Sequence, residues 1–425
     1  MLKALIRTRC RAATSLLAAA LLVVLYLSGE FSLTITRRDN PKDGLRPKHH
    51  LVDVREVERQ TKPAINKAPH VYSWPKCERN HSAAMTRNFS SLPSHIQDFL
   101  YYRHCRHFPL LLDIPDKCGG VYGSAKVFLL LVIKSSPVNY ERREVIRKTW
   151  GAERLSSGVW IRRVFISATM DTGYEEERLN HLLRMEHHKY NDILQWDFHD
   201  TFYNLTLKQM LFLEWMEKNC PNAHFLFNGD DDIFANPDKM VNYLKSLKEN
   251  SGDKHLYTGA VNWYGPVREE KSKYYIPFQL QKSELFQPYC SGGGFLLSGF
   301  TASVVFRETQ TTPLFPIDDA YFGMCLAKVG LGPSSLLGVY TEIEMVPGVK
   351  EAEDDLNPCF YRDIFIVHRF HPAHLFYMWH RLQEPDLNCT LADVQTQLSA
   401  IQSNISNPNP TQSSATNVAK PQVQD

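Results

Sequence analysis

Blocks of apolar and polar positions alternate along the chain, and the changes of period mark its elements. Val127 to Ile133 is a continuous apolar run, the pattern of a strand covered on both faces. Lys134-Ser135-Ser136-Pro137 ends it, and Tyr140 to Trp150 follows as an arginine-rich helix. Val164 to Ala168 predicts a second strand and Glu175 to Tyr190 an amphipathic helix. Ile193 to Phe198 predicts a third strand, and Leu205 to Lys218 a helix that turns Leu207, Met210, Leu211 and Trp215 inward. Ala223 to Phe227 is a short buried strand. Asn236-Pro237-Asp238 then opens a helix, with Asn as N-cap and Pro at the first helical position. Leu256 to Ala260 restarts β structure, Tyr274 to Pro277 is aromatic and extended, and Ile364 to Val367 is a last buried strand ending in His368. This strand–helix alternation predicts an α/β fold built on a doubly wound sheet.

The ends of the chain follow other rules. Lys3, Arg7, Arg9 and Arg11 precede an apolar run from Ala12 to Leu27, interrupted only by Thr14 and Ser15. Its length is near the lower limit for spanning a bilayer. Residues 1–11 therefore read as a cytoplasmic tail and 12–28 as a transmembrane signal-anchor, with the basic flank inside. A cleaved signal peptide is the rival, but Leu27-Ser28-Gly29 fits the small-residue cleavage pattern poorly. Residues 29–95 read as a stem and transition zone, polar and basic as far as about Lys76. Residues 96–390 form the main domain, starting near a short helix at His95 to Tyr102; residues 391–425, rich in Ser, Asn, Gln, Thr and Pro, read as a disordered tail.

Composition sharpens the compartment. With 43% hydrophobic and 22% charged residues, 425 residues suit one sizeable domain plus flanks, and a net charge of +2 argues against nucleic acid as a partner. Five Asn-x-Ser/Thr sequons (Asn80, Asn88, Asn204, Asn388 and Asn404) and eight of the nine cysteines lie beyond the anchor. Both fit an oxidising, glycosylating lumen. No cysteine spacing is C-x-x-C, which argues against a zinc ribbon or thioredoxin-type site; the pairing itself stays open, as does the oligomeric state.

The chemistry gathers at strand ends. Phe225-Leu226-Phe227-Asn228-Gly229-Asp230-Asp231-Asp232 places three carboxylates where a strand leaves the core, the edge at which α/β folds bind ligands. Crowded like charges need a cation, and oxygen ligands suit Mg²⁺ or Mn²⁺, ions that accompany diphosphates. A calcium EF-hand loop is excluded, because Phe234 and Ala235 stand where a ligand and a glycine belong. A solvated acidic turn is the plainer alternative. Lys134 with Arg143 and Arg147 makes either an anion site or a solvated helix face. Gly292, Gly293 and Gly294 form a turn into an apolar strand that lets backbone approach a ligand. Asp318 and Asp319 open a helix, where capping explains one carboxylate better than two. His368, taken alone, is more readily a structural hydrogen-bonder than a ligand.

Together these stretches resemble the β-1,3-glycosyltransferases (glycosyltransferase family 31). The matching runs are LLLVIKSSPVNYERREVIRKTWG from Leu129 to Gly151, then FNGDDDIFANP, YYIP, GGGFLLSG, FPIDDAYFGMCLAKVG and IVHR, in the family's order. The Leu112 to Cys118 stretch and the PIDD form look most like the β-1,3-N-acetylglucosaminyltransferases. The resemblance covers about Phe99 to Cys389. It implies a GT-A fold, a UDP-GlcNAc donor, a galactose-terminated acceptor on glycoprotein or glycolipid glycans, and a Golgi type II membrane protein. A β-1,3-galactosyltransferase using UDP-galactose, or an inactive glycan-binding relative, is the alternative. It also implies Mn²⁺ on Asp232 and His368, with Asp230 near the ribose and Asp231 beside it. Lys134, Arg143 and Arg147 then fall on the nucleotide side, and Gly292, Gly293 and Gly294 line the sugar pocket. Asp319, with Asp318 beside it, becomes the general base of an inverting displacement. Cys290 departs from the family pattern, and whether it pairs is left open.

Overall fold

The computed structural model describes residues 77–170, 174–349 and 356–390. The expected cytoplasmic tail, anchor, most of the stem and the C-terminal tail lie outside the described residues. Among the described residues no helix is long and apolar enough to cross a membrane.

The strands are β1 (Leu110–Leu112), β2 (Val127–Lys134), β3 (Arg154–Ser156), β4 (Val159–Thr169), β5 (Ile193–His199) and β6 (Phe225–Asp230), followed by β7 (Ile233–Ala235), β8 (Tyr257–Asn262), β9 (Tyr289–Ser298), β10 (Ser334–Ser335), β11 (Val339–Tyr340) and β12 (Ile366–His368). The main sheet runs β1-β5-β4-β2-β6-β9-β8-β10, with β3 paired on β4, and a small sheet runs β11-β12-β7.

Alternating side chains of β2 explain its unbroken apolar run. Leu130 and Val132 enter the core on one face of the sheet, and Leu129, Leu131 and Ile133 enter the core on the other. The expected parallel core is present in β5, β4, β2 and β6. Helices cover both faces of the sheet, as expected, but beyond these four strands the pairing is no longer all parallel. β9 runs antiparallel to both β6 and β8, so the sheet is mixed. The chain between β8 and β9 is a long loop with no crossover helix, which leaves β9 free to enter from the opposite direction.

Two further differences bear on the site. The glycine-rich stretch is not a turn; Gly292, Gly293 and Gly294 lie inside the ten-residue β9. The acids are followed by a short strand, β7, which pairs with β12 and sets His368 opposite Ile233.

Three disulfides settle the pairing: Cys77–Cys105, Cys118–Cys220 and Cys359–Cys389. Cys290 and Cys325 are free and buried. Cys118–Cys220 closes a 102-residue separation and pins the segment before β2 to the end of the helix Leu205–Asn219. The segment before the main domain is packed as well, since Phe89, Leu92, Ile96 and Leu100 share a small core with Tyr275.

Candidate active site

The carboxyl ends of β2 and β6 lie side by side, with Lys134 in register with Asp230. Register alone therefore brings a cation to the first acid. The Lys134 Nζ lies 2.9 Å from Asp230 Oδ1 and 2.9 Å from Asp318 Oδ2. It is buried, which pulls its pKa down, but the two carboxylates outweigh that and hold it charged. Lys134, expected on the nucleotide side, thus ties the first acidic turn to the start of the helix Asp318–Ala327.

His368 comes from the end of β12. Its Nε2 lies 3.2 Å from Asp232 Oδ1 and 3.7 Å from Asp230 Oδ2. One ligand atom from each of Asp230, Asp232 and His368 falls within 4.8 Å of the other two, a set of two carboxylate oxygens and one imidazole nitrogen suited to a divalent ion such as Mn²⁺. Burial pushes the Asp230 carboxyl up to about 6, with repulsion from Asp318 and Asp232 adding to it against the pull of Lys134. Burial alone would lower His368, but Asp232 and Asp230 overcome it and raise it. Asp232 is lowered, because His368 and Arg142 outweigh its burial.

Gly293 explains how the imidazole fits. A Cβ built there would lie 3.0 Å from His368 Cγ, so β9 approaches the ring as closely as a glycine permits. Gly294 packs the same way on Phe227, at 3.0 Å.

Three expected residues take other places. Asp231 is 5% exposed and turned inward; its carboxylate accepts from Asn139 Nδ2 at 2.8 Å and from Arg142 Nη1 at 2.9 Å. It braces the turn against the helix Tyr140–Lys148. Arg143 is fully buried and makes a bidentate pair with Glu186 at 2.7 and 2.9 Å. Arg147 binds Glu186 and Asp192, and Arg163 binds Asp192 again. These guanidinium groups are taken up by internal ion pairs. Of the arginines in this helix, Arg142 faces the acids, 3.4 Å from Asp232 Oδ2. The signal for this was present: Arg143, Ile146, Arg147 and Trp150 share one inward helical face, and Arg142 falls off it.

Asp318 and Asp319 differ in environment. Asp318 is 8% exposed and held by Lys134. Asp319 is half-buried, and its Oδ1 accepts from the Ala320 backbone N–H at 2.7 Å. Burial raises both the Tyr257 and the Tyr289 phenols; Cys290 and then Asp319 add to it at Tyr257, and Asp319 adds to it at Tyr289.

A sheet edge carrying a carboxylate–imidazole cluster beside a second acidic pair suits transfer from a diphosphate donor. The galactosyltransferase family model matches residues 141–336. The human N-acetyllactosaminide β-1,3-N-acetylglucosaminyltransferase 3 is 46% identical over 77% of this chain and 87% of its own length. The human acetylgalactosaminyl-O-glycosyl-glycoprotein β-1,3-N-acetylglucosaminyltransferase is 46% identical over 77% and 84%. The mouse UDP-GlcNAc:βGal β-1,3-N-acetylglucosaminyltransferase 7 is 39% identical over 77% and 82%. The protein is a glycosyltransferase. It belongs to the β-1,3-N-acetylglucosaminyltransferases of the galactosyltransferase family.

Proposed function

We propose that this chain transfers N-acetylglucosamine from UDP-GlcNAc to the 3-hydroxyl of a terminal galactose, with inversion, giving a β-1,3 linkage on glycoprotein or glycolipid glycans. What carries the reading is the meeting of Asp230, Asp232 and His368 with the Asp318–Asp319 pair at one sheet edge. The relatives' names supply the sugar and the linkage. The reading includes a GT-A arrangement and a lumenal, Golgi-resident domain on an N-terminal anchor.

In this reading Asp319 takes the proton of the acceptor hydroxyl as the new C1–O bond forms. The bond from C1 to the UDP oxygen breaks, and UDP leaves with the electron pair. Asp232 and His368, with Asp230 beside them, would hold Mn²⁺, which supplies Lewis-acid stabilisation of the diphosphate. Arg142 faces the same charge. Lys134 keeps Asp230 and Asp318 fixed relative to each other, so the metal side and the base side share one rigid strut. Gly293 lets β9 close against His368 and Gly294 lets it close against Phe227, and in this reading the strand carrying them and Gly292 lines the donor-sugar pocket.

The test is an activity matrix of UDP-GlcNAc and UDP-galactose against galactose- and N-acetylglucosamine-terminated acceptors, with and without Mn²⁺. Transfer of N-acetylglucosamine to galactose that requires the ion is expected. Turnover with UDP-galactose alone would overturn the donor assignment, and no turnover with either would overturn the enzyme reading of this site.

A further inference from the structure

One backbone position beside the site breaks the local rules. Among the described residues, four that are not glycine take the left-handed region: Asn88, Ser157, Asn191 and Arg369. Asparagine tolerates that region. Ser157 and Gly158 form the two-residue turn between β3 and β4, and tight hairpin turns require it. Arg369, at φ +71°, has neither reason, and it directly follows His368.

The pairing of β12 with β7 shows what this bend does. Val367 stands opposite Phe234 and His368 opposite Ile233, one residue against one. Continued, that register would set Arg369 alone against Asp232. Phe370, one residue further on, donates its N–H to the Asp232 carbonyl oxygen at 2.7 Å. Arg369 and Phe370 together therefore stand against Asp232. That is a β-bulge with its left-handed residue at Arg369, a place that glycine usually fills. Bulges next to active sites re-aim side chains. Here the residues on either side of the bend both grip Asp232: Phe370 holds its carbonyl, and His368 Nε2 lies 3.2 Å from its Oδ1.

Both neighbours are fixed from outside the bend. The Phe370 side chain is buried; its ring stacks on His374 at 4.3 Å and meets Phe234 and Tyr361 at 5.7 and 5.6 Å between centroids. His368 is fixed by β12 and by Gly293 of β9 against its ring. The residue between them must absorb the turn. Strain of this kind persists where the surroundings over-determine it, and it gathers at functional sites. The Arg369 side chain is 61% exposed and pairs with Glu342 at 2.9 Å, an ion pair too open to water to impose the bend by itself.

We infer that Arg369 is a positioning residue for the metal site: its left-handed backbone, and not its charge, sets the His368 imidazole and the Asp232 carboxylate at ligand distance. The inference rests on the proposed metal role of Asp232 and His368.

The experiment measures Mn²⁺ affinity of the full chain by calorimetry and solves metal-free crystal structures of the variants. Arg369→Gly deletes the side chain but accepts the bend, so its affinity should stay within about twofold of native. Arg369→Val is β-branched and opposes the bend, so it should bind about tenfold more weakly, with His368 moved away from Asp232. Arg369→Thr opposes the bend through the same branching and serves if Arg369→Val fails to fold. Glu342→Gln, which removes the ion pair alone, should bind as the native chain does. Retention in glycine beside loss in valine is a signature that a lost charge does not produce. Equal losses in Arg369→Gly and Arg369→Val would assign the effect to the side chain and overturn the inference, as would native affinity in both β-branched variants. No Mn²⁺ binding by the native chain overturns the metal reading instead. The metal-free structures then decide the bend: His368 kept on Asp232 in Arg369→Gly and displaced in the β-branched variant supports it, and an unmoved His368 in the β-branched variant rejects it.

Discussion

The Lys134 ammonium lies 2.9 Å from Asp318 and 2.9 Å from Asp230, so one buried cation joins two acidic segments that are far apart in the chain. Removing a partner from a buried ion cluster leaves an uncompensated charge, at a cost of roughly 3–5 kcal/mol. Lys134→Met keeps the bulk of the side chain and deletes only the charge. Its urea midpoint should fall by the equivalent of that cost at neutral pH, and part of the loss should return as pH drops and Asp230 protonates. A native midpoint would show that the lysine is not the strut.

Arg143 and Arg147 give a contrasting prediction. Their partners are Glu186 and Asp192, all within the interior. Arg143→Ala should lose several kcal/mol of stability, about 3–5 by the same reasoning. The KM for the UDP-sugar, measured on the folded fraction at low temperature, should stay within about twofold. A large rise in that KM with unchanged stability would place Arg143 on the nucleotide side.

These two cases show what was legible in the sequence. The parallel core could be read from apolar runs, because Leu129 to Ile133 are buried on both faces whatever the topology beyond them. The strand-end position of Asp230 to Asp232 could be read for the same reason. The direction of β9 could not, since an apolar run carries no sign for parallel or antiparallel pairing. β7, three residues long, is too short for its period to show, and it exists because β12 pairs with it. The internal pairing of Arg143 with Glu186 could not be read from its charge, although its spacing to Ile146 already turned it inward. Asp318 and Lys134 could not be matched at all, because a contact across 184 residues leaves no local trace.

Metal binding should depend on pH in a definite direction. His368 has its pKa raised by Asp232 and Asp230 against burial, and Asp230 sits at about 6. Protons held on these groups must leave before an ion can bind, so protons compete with the metal. Mn²⁺ affinity should therefore rise with pH across and above 6 and level off once both groups are deprotonated. Calorimetry in two buffers of different ionisation enthalpy should reveal proton release at pH 6. An affinity independent of pH would count against His368 as a ligand, as would native Mn²⁺ binding by Asp232→Ala.

Gly293 should be intolerant of a side chain. Its virtual Cβ lies 3.0 Å from His368 Cγ and 3.1 Å from His368 Cβ, tighter than side chains normally pack. Gly293→Ala must push the imidazole away from Asp232. We expect Mn²⁺ affinity to fall at least tenfold, about 1.4 kcal/mol, with a small change in melting temperature. Unchanged affinity would mean that β9 shifts instead and that the glycine serves the sugar alone.

The last prediction separates the paired acids. Asp318 is buried and neutralised by Lys134, so its oxygens are committed to an ion pair. Asp319 is half-buried, and its Oδ1 accepts from a backbone N–H at the helix start. That hydrogen bond fixes the carboxylate at the start of a helix, on a rigid backbone. Asp319→Asn preserves shape and removes proton acceptance, so kcat should fall by roughly 10²–10⁴ with little change in UDP-sugar binding. Asp318→Asn leaves Lys134 one anionic partner, Asp230. It should lose stability and a smaller share of kcat, and its loss should be non-additive with Lys134→Met because the two residues form one pair. If Asp318→Asn is inactive while Asp319→Asn turns over normally, the roles are reversed, and Lys134 is then the group that tunes the base. If both variants retain full kcat, the acceptor proton leaves by another route and the pair only fastens this helix to the sheet.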